Sequence, residues 1–107
     1  MELDNLFIHD SLIKSVIENP KLDEIVFIID WPGENLEPVF IEAKLIFENV
    51  LNYEVHEGPF DGEPTILELI EDGKRVDYNI ERIQIRIETT AGYRSLYCTN
   101  VKLIRNK

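Results

Sequence analysis

His9 and Asp10 stand side by side near the start of the chain and have the residue types of a catalytic or metal-binding dyad. An imidazole titrates near neutral pH and can move a proton or ligate a metal, and a neighbouring carboxylate can orient it or add a ligand. A metal centre built on such a step needs further His and Asp ligands, and His56 is the one other histidine in the chain. Carboxylates would have to complete a mixed site. A small metal-dependent binder or hydrolase around His9, Asp10 and His56 is therefore the alternative reading, and a local cap or hydrogen bond from Asp10 is the plainer one. The 21 acidic residues make any chosen acid-base pair uninformative. Cys98 alternates with Leu96 in an apolar stretch, the setting of a packed thiol rather than a nucleophile. The five glycines are scattered, and no phosphate-cradling loop is present. The chain is expected to be no enzyme, with no catalytic residue, metal or cofactor assigned.

What remains is binding. Trp31, in Asp30-Trp31-Pro32-Gly33-Glu34, sits where an apolar run meets a turn. It is either an aromatic anchor for a partner or the last core residue of its strand. Glu34, Glu37, Glu57, Asp61 and Glu63 lie around two proline-glycine turns. Together with Trp31 they would form an acidic rim if the turns share one end of the fold.

Residues 1–72 carry 18 acidic and 3 basic side chains, while residues 73–107 carry 3 acidic and 8 basic ones. Net charge acts on steering and association rather than on fold, so this split points to a basic protein partner or to none. Phosphate backbones need Lys and Arg for neutralisation, so no nucleic-acid partner is expected unless Arg82, Arg86, Arg94, Lys102 and Arg105 cluster. Pairing of those residues with the acidic part of the same fold is the plainer expectation. At 107 residues with 44% hydrophobic and 30% charged composition, residues 1–107 fit a single globular domain. One cysteine, an acidic start without an apolar leader, and a longest apolar run of Ile25 to Ile29 predict a cytoplasmic protein with no membrane partner.

The elements that must position these residues are read from period-two alternation. Ile25, Phe27, Ile29 and Trp31 form one apolar set, ended by Pro32-Gly33. Val39 to Val55 alternates for too long to be one strand, which predicts a break near Asn49. Gly58 to Pro64 is a loop. Asp72-Gly73 reads as a tight hairpin turn, and the change of apolar phase at Glu81-Arg82 as a bulge. Thr89 to Gly92 is a turn, with Tyr93 to Ile104 the returning strand. Residues 10–19 and 65–72 carry both helix and strand signals and are read as strands, because two-turn helices need strong tertiary support. The expected fold is mainly β, an antiparallel β-sandwich or partly open barrel of about seven to eight strands. The alternative is α+β with one or two short helices at 10–19 and 65–72.

Phe7-Ile8-His9-Asp10-Ser11, Phe47-Glu48-Asn49-Val50, and Thr90-Ala91-Gly92-Tyr93 before Cys98-x-x-Val101 resemble small bacterial proteins of the YxiG-like and immunity-protein type. The resemblance spans most of the chain. It implies a cytoplasmic all-β protein without cofactor that binds and neutralises a toxin made by the same cell, and it implies no catalytic residues. The preferred reading is a non-catalytic protein-binding module, an immunity protein that blocks a basic toxin through its acidic surface. A structural homodimer through edge strands is the third reading.

Overall fold

A computed structural model describes residues 8–32 and 41–105. Eight strands follow one another: β1 (Leu12–Asn19), β2 (Glu24–Trp31), β3 (Ile41–Glu48), β4 (Leu51–Glu57), β5 (Ile66–Asp77), β6 (Ile80–Thr89), β7 (Gly92–Cys98) and β8 (Asn100–Arg105). They form two four-stranded antiparallel sheets in the orders β1-β2-β3-β8 and β4-β7-β6-β5. The sheets do not close into a barrel, so the sandwich is the form observed. Among the described residues there is no helix, and both ambiguous segments are strands. The helical alternative at 10–19 and 65–72 loses because each segment there completes a sheet edge that a short helix would leave unpaired.

The alternation of β2 places Ile25, Phe27, Ile29 and Trp31 on one face opposite Phe47, Leu45, Ala43 and Ile41. Against that face the second sheet packs Ile66, Ile85, Ile87, Leu96 and Cys98, all fully buried. Cys98 is thus a core residue, and burial pushes its thiol up to about 12. The expected break in the long alternating stretch lies at Asn49, whose φ of 54° is a left-handed conformation that Asn tolerates. There the chain leaves the first sheet for the second, and at Thr99 it crosses back. The two crossings are tied together by Asn49 Nδ2 donating to Thr99 Oγ1 at 2.8 Å and Thr99 N donating to the Glu48 carbonyl at 3.0 Å.

Two local readings exchange places. Asp72-Gly73 is not a turn: β5 runs through it with a register shift between Glu71 and Gly73, and Gly73 takes the positive φ of the bulge. The turn is Tyr78-Asn79, with φ of 50° and 65°, the signs a type I′ hairpin requires. The apolar phase change at Glu81-Arg82 is then no bulge. A two-residue turn pairs Val76 with Glu81 and Lys74 with Ile83, so even positions on one strand share a face with odd positions on the next. In β1 a bulge between Ile13 and Ser15 likewise turns Val16 inward and leaves Ile17 exposed.

Candidate functional site

Of the residues proposed for an acidic rim, Trp31, Glu57 and Glu63 are each engaged within the fold. Trp31 is buried to 2% exposure, with the Arg105 guanidinium 5.2 Å from its ring centre, so its core reading is the one observed. Glu34 and Glu37 lie outside the described residues. Asp61 is exposed in the loop before β5. Glu63 pairs with Lys14 at 2.9 Å, and the same ammonium reaches Asp30 at 3.6 Å. Lys14 therefore holds the second loop beside the end of β2, and those carboxylates keep its ammonium above the usual range.

Glu57 is turned inward. In β4 Val55 lies opposite Arg94 and Glu57 opposite Gly92, which places Glu57 on the core side of its sheet. Its carboxylate accepts two hydrogen bonds from the Arg94 guanidinium at 2.8 Å each and one from Thr89 Oγ1 at 3.1 Å. Arg94 also donates to the Tyr53 hydroxyl at 3.1 Å and lies over the Phe27 ring. Hydrogen bonding to Arg94 holds Glu57 below the usual carboxylate range, and Glu57 raises Arg94 in return. Burial pushes the Tyr53 phenol up.

The residues that carried the metal reading are not brought together. His9 contacts Asp10 at 3.0 Å in the turn before β1. His56 contacts Glu54 at 3.2 Å and stacks on Tyr93 in the second sheet. Among the described residues no group of three or more His, Cys, Asp or Glu side chains is placed to hold a metal ion. The basic residues are scattered too: Lys102 pairs with Glu48, Arg86 with Glu88 and Asp72, and Arg94 with Glu57. Three of these pairs, Arg86 with Asp72, Arg94 with Glu57 and Lys102 with Glu48, join the basic part of the chain to the acidic part. Among the described residues no helix is long and apolar enough to cross a membrane.

One acidic group stands apart from these pairs. A cleft of about 310 Å³ is lined by Glu18, Asn19, Pro20, Asp23, Glu24, Ile25, Val50, Asn52 and Tyr53. Its rim carries three carboxylates, and among the described residues no ion pair engages Glu18, Asp23 or Glu24. Its floor is apolar, made by Ile25, Val50 and Tyr53. The β1-β2 turn and the β3-β4 corner meet there through Val50 N donating to the Asp23 carbonyl at 2.8 Å. Asp23, Asn49 and Asn52 have φ of 54°, 54° and 55°, and their short polar side chains make such backbone affordable. Sequence reasoning missed this site. Glu18, Asp23 and Glu24 around Pro20 were visible, but the approach of Val50 and Tyr53 is a tertiary contact. Neither a known family pattern nor a characterised protein matches the chain.

Proposed function

We propose that the protein is a non-catalytic binding module that meets a basic protein partner through the cleft between the β1-β2 turn and the β3-β4 corner. The carrying observation is the placement of Glu18, Asp23 and Glu24 around one apolar-floored recess, with no ion pair engaging any of the three among the described residues, although Lys21 lies in the same turn. Carboxylates arranged in this way attract a Lys or Arg side chain, while Tyr53 and Val50 receive its aliphatic stem. The resemblance to immunity-type proteins makes a basic toxin the first partner class to test.

The test is capture from native lysate at low salt. The baits are the wild type, a Glu18→Lys/Asp23→Lys/Glu24→Lys variant, and an Asp61→Lys/Glu63→Lys variant. The expected result is one basic protein held by the wild type and by the Asp61/Glu63 variant, lost by the cleft variant, and released at high salt. Equal retention by the cleft variant would overturn the assignment. Loss confined to the Asp61/Glu63 variant would move the site to the loop before β5.

A further inference from the structure

The β5-β6 hairpin extends past its own sheet. Strand β7 accompanies β6 only as far as the pair Ile83 and Cys98, so, among the described residues, 74–82 have only one another as strand partners. Three large apolar side chains are exposed at this tip: Val76 at 68%, Tyr78 at 98% and Ile80 at 43%. Tyr78 also adopts a φ of 50°, which a bulky residue enters at a cost that Asn or Gly in a type I′ turn largely avoids. No core contact compensates, since Tyr78 is almost wholly in solvent. Strain retained without a folding benefit is a signature of contact with another molecule. The arm is firmly rooted: Arg82 Nε donates to the Asn49 carbonyl at 2.8 Å, and the Arg75 guanidinium lies 5.6 Å from the Tyr97 ring centre.

A surface complementary to this tip exists on the same molecule, at the same end. Asn49, which anchors the arm, precedes Val50 in the floor of the cleft. The tip is convex and apolar; within the arm Lys74 pairs with Glu81 and Arg75 with Asp77, so the net plus one of residues 74–82 is that of Arg82 at the root, beside the cleft. The cleft is concave, apolar at its floor and rimmed by three carboxylates. We propose that the arm of one molecule seats in the cleft of a second copy, with Tyr78 entering between Tyr53 and Val50. Arm and cleft share one end, so the arrangement proposed is the reciprocal one in which each arm enters the other molecule's cleft about a two-fold axis, which closes as a dimer rather than growing as a fibre. The inference goes beyond partner binding: a second copy and a basic partner compete for one cleft.

Sedimentation velocity on the purified full chain, from micromolar to millimolar concentration, tests it. The wild type is expected to show a monomer-dimer equilibrium. Tyr78→Asn, which suits the turn, and Glu18→Lys/Asp23→Lys/Glu24→Lys should each raise the dimer Kd about tenfold or more. The cleft variant is discriminating because it lowers the repulsion between two molecules of net charge minus 10, so general electrostatics would strengthen its association. Mixing the two variants should restore association in part, since one intact arm then meets one intact cleft. A wild type that stays monomeric at millimolar concentration overturns the proposal and leaves the basic-partner reading standing. A dimer that survives either variant also overturns it. A dimer that behaves as expected while no basic protein is captured counts against partner binding alone.

Discussion

Glu57→Gln removes the negative charge facing Arg94 while keeping the side-chain shape. The guanidinium and carboxylate side chains are only 14% and 11% exposed, and they meet through two 2.8 Å hydrogen bonds. Arg94 stays charged in the variant, and its remaining side-chain contacts are the Tyr53 hydroxyl and the Phe27 ring. Leaving a fully buried charge without its partner costs about 3–5 kcal/mol, and the residual exposure here reduces that to roughly 2–3 kcal/mol. A domain of this size has about 5–15 kcal/mol of stability in all, so the midpoint of thermal unfolding should fall by roughly 10–20 °C. Urea unfolding followed through the fluorescence of Trp31, the single tryptophan and a buried one, measures the loss directly. The pH dependence gives an independent check. Glu57 is depressed below its ordinary value of 4.5, so its contribution is fully present above that value and disappears as pH falls through its lower native value. The gap between wild type and variant should therefore narrow in acid. Replacing both partners by apolar residues, Glu57→Met with Arg94→Met, should cost less than Glu57→Gln alone, because no charge is then stranded. A loss below about 1 kcal/mol for Glu57→Gln, the value of a solvent-screened surface pair, would refute the reasoning.

Gly92→Ala should destabilise by roughly 2 kcal/mol or more in the same assay, through strain and a backbone clash: φ is 144°, and an added Cβ would lie 2.3 Å from the His56 carbonyl oxygen. Cys98, with its thiol raised to about 12 and fully buried, should resist maleimide at neutral pH and react only as the chain unfolds. Tyr78→Asn should stabilise the monomer by about 1 kcal/mol by relieving the left-handed tyrosine. Unchanged stability on chemical denaturation would remove the strain argument for the arm.

Much of the fold was readable because burial writes a period of two into each strand. Every odd position from Ile25 to Trp31 and from Ile41 to Phe47 is apolar, although Val26, Ile28 and Ile46 blur the pattern, and the break at Asn49 announced itself by length alone. The hairpin was misplaced for a definite reason. Asp-Gly satisfies both a tight turn and a glycine bulge, and Tyr-Asn carries a weak turn signal. Pairing of Leu69 and Glu71 with Ile87 and Ile85 decides between them, and that register is not local information. The candidate site was less legible. Glu57 looks like a surface acid until Arg94, 37 residues away, is known to face it, and the cleft exists only where Val50 meets Asp23.

By itself, the sequence determined a mainly β chain, the approximate number of its strands, the packed character of Cys98 and an acidic balance. Those properties follow from residue type and spacing, which act within a few positions of the chain. Only the tertiary structure decided which carboxylates meet a cation of the same fold. Glu57 and Glu63 are committed to Arg94 and Lys14, whereas Glu18, Asp23 and Glu24 converge on one recess. A charge's role depends on which opposite charge lies within a few ångströms, and for these residues strand pairing and sheet packing set that neighbour.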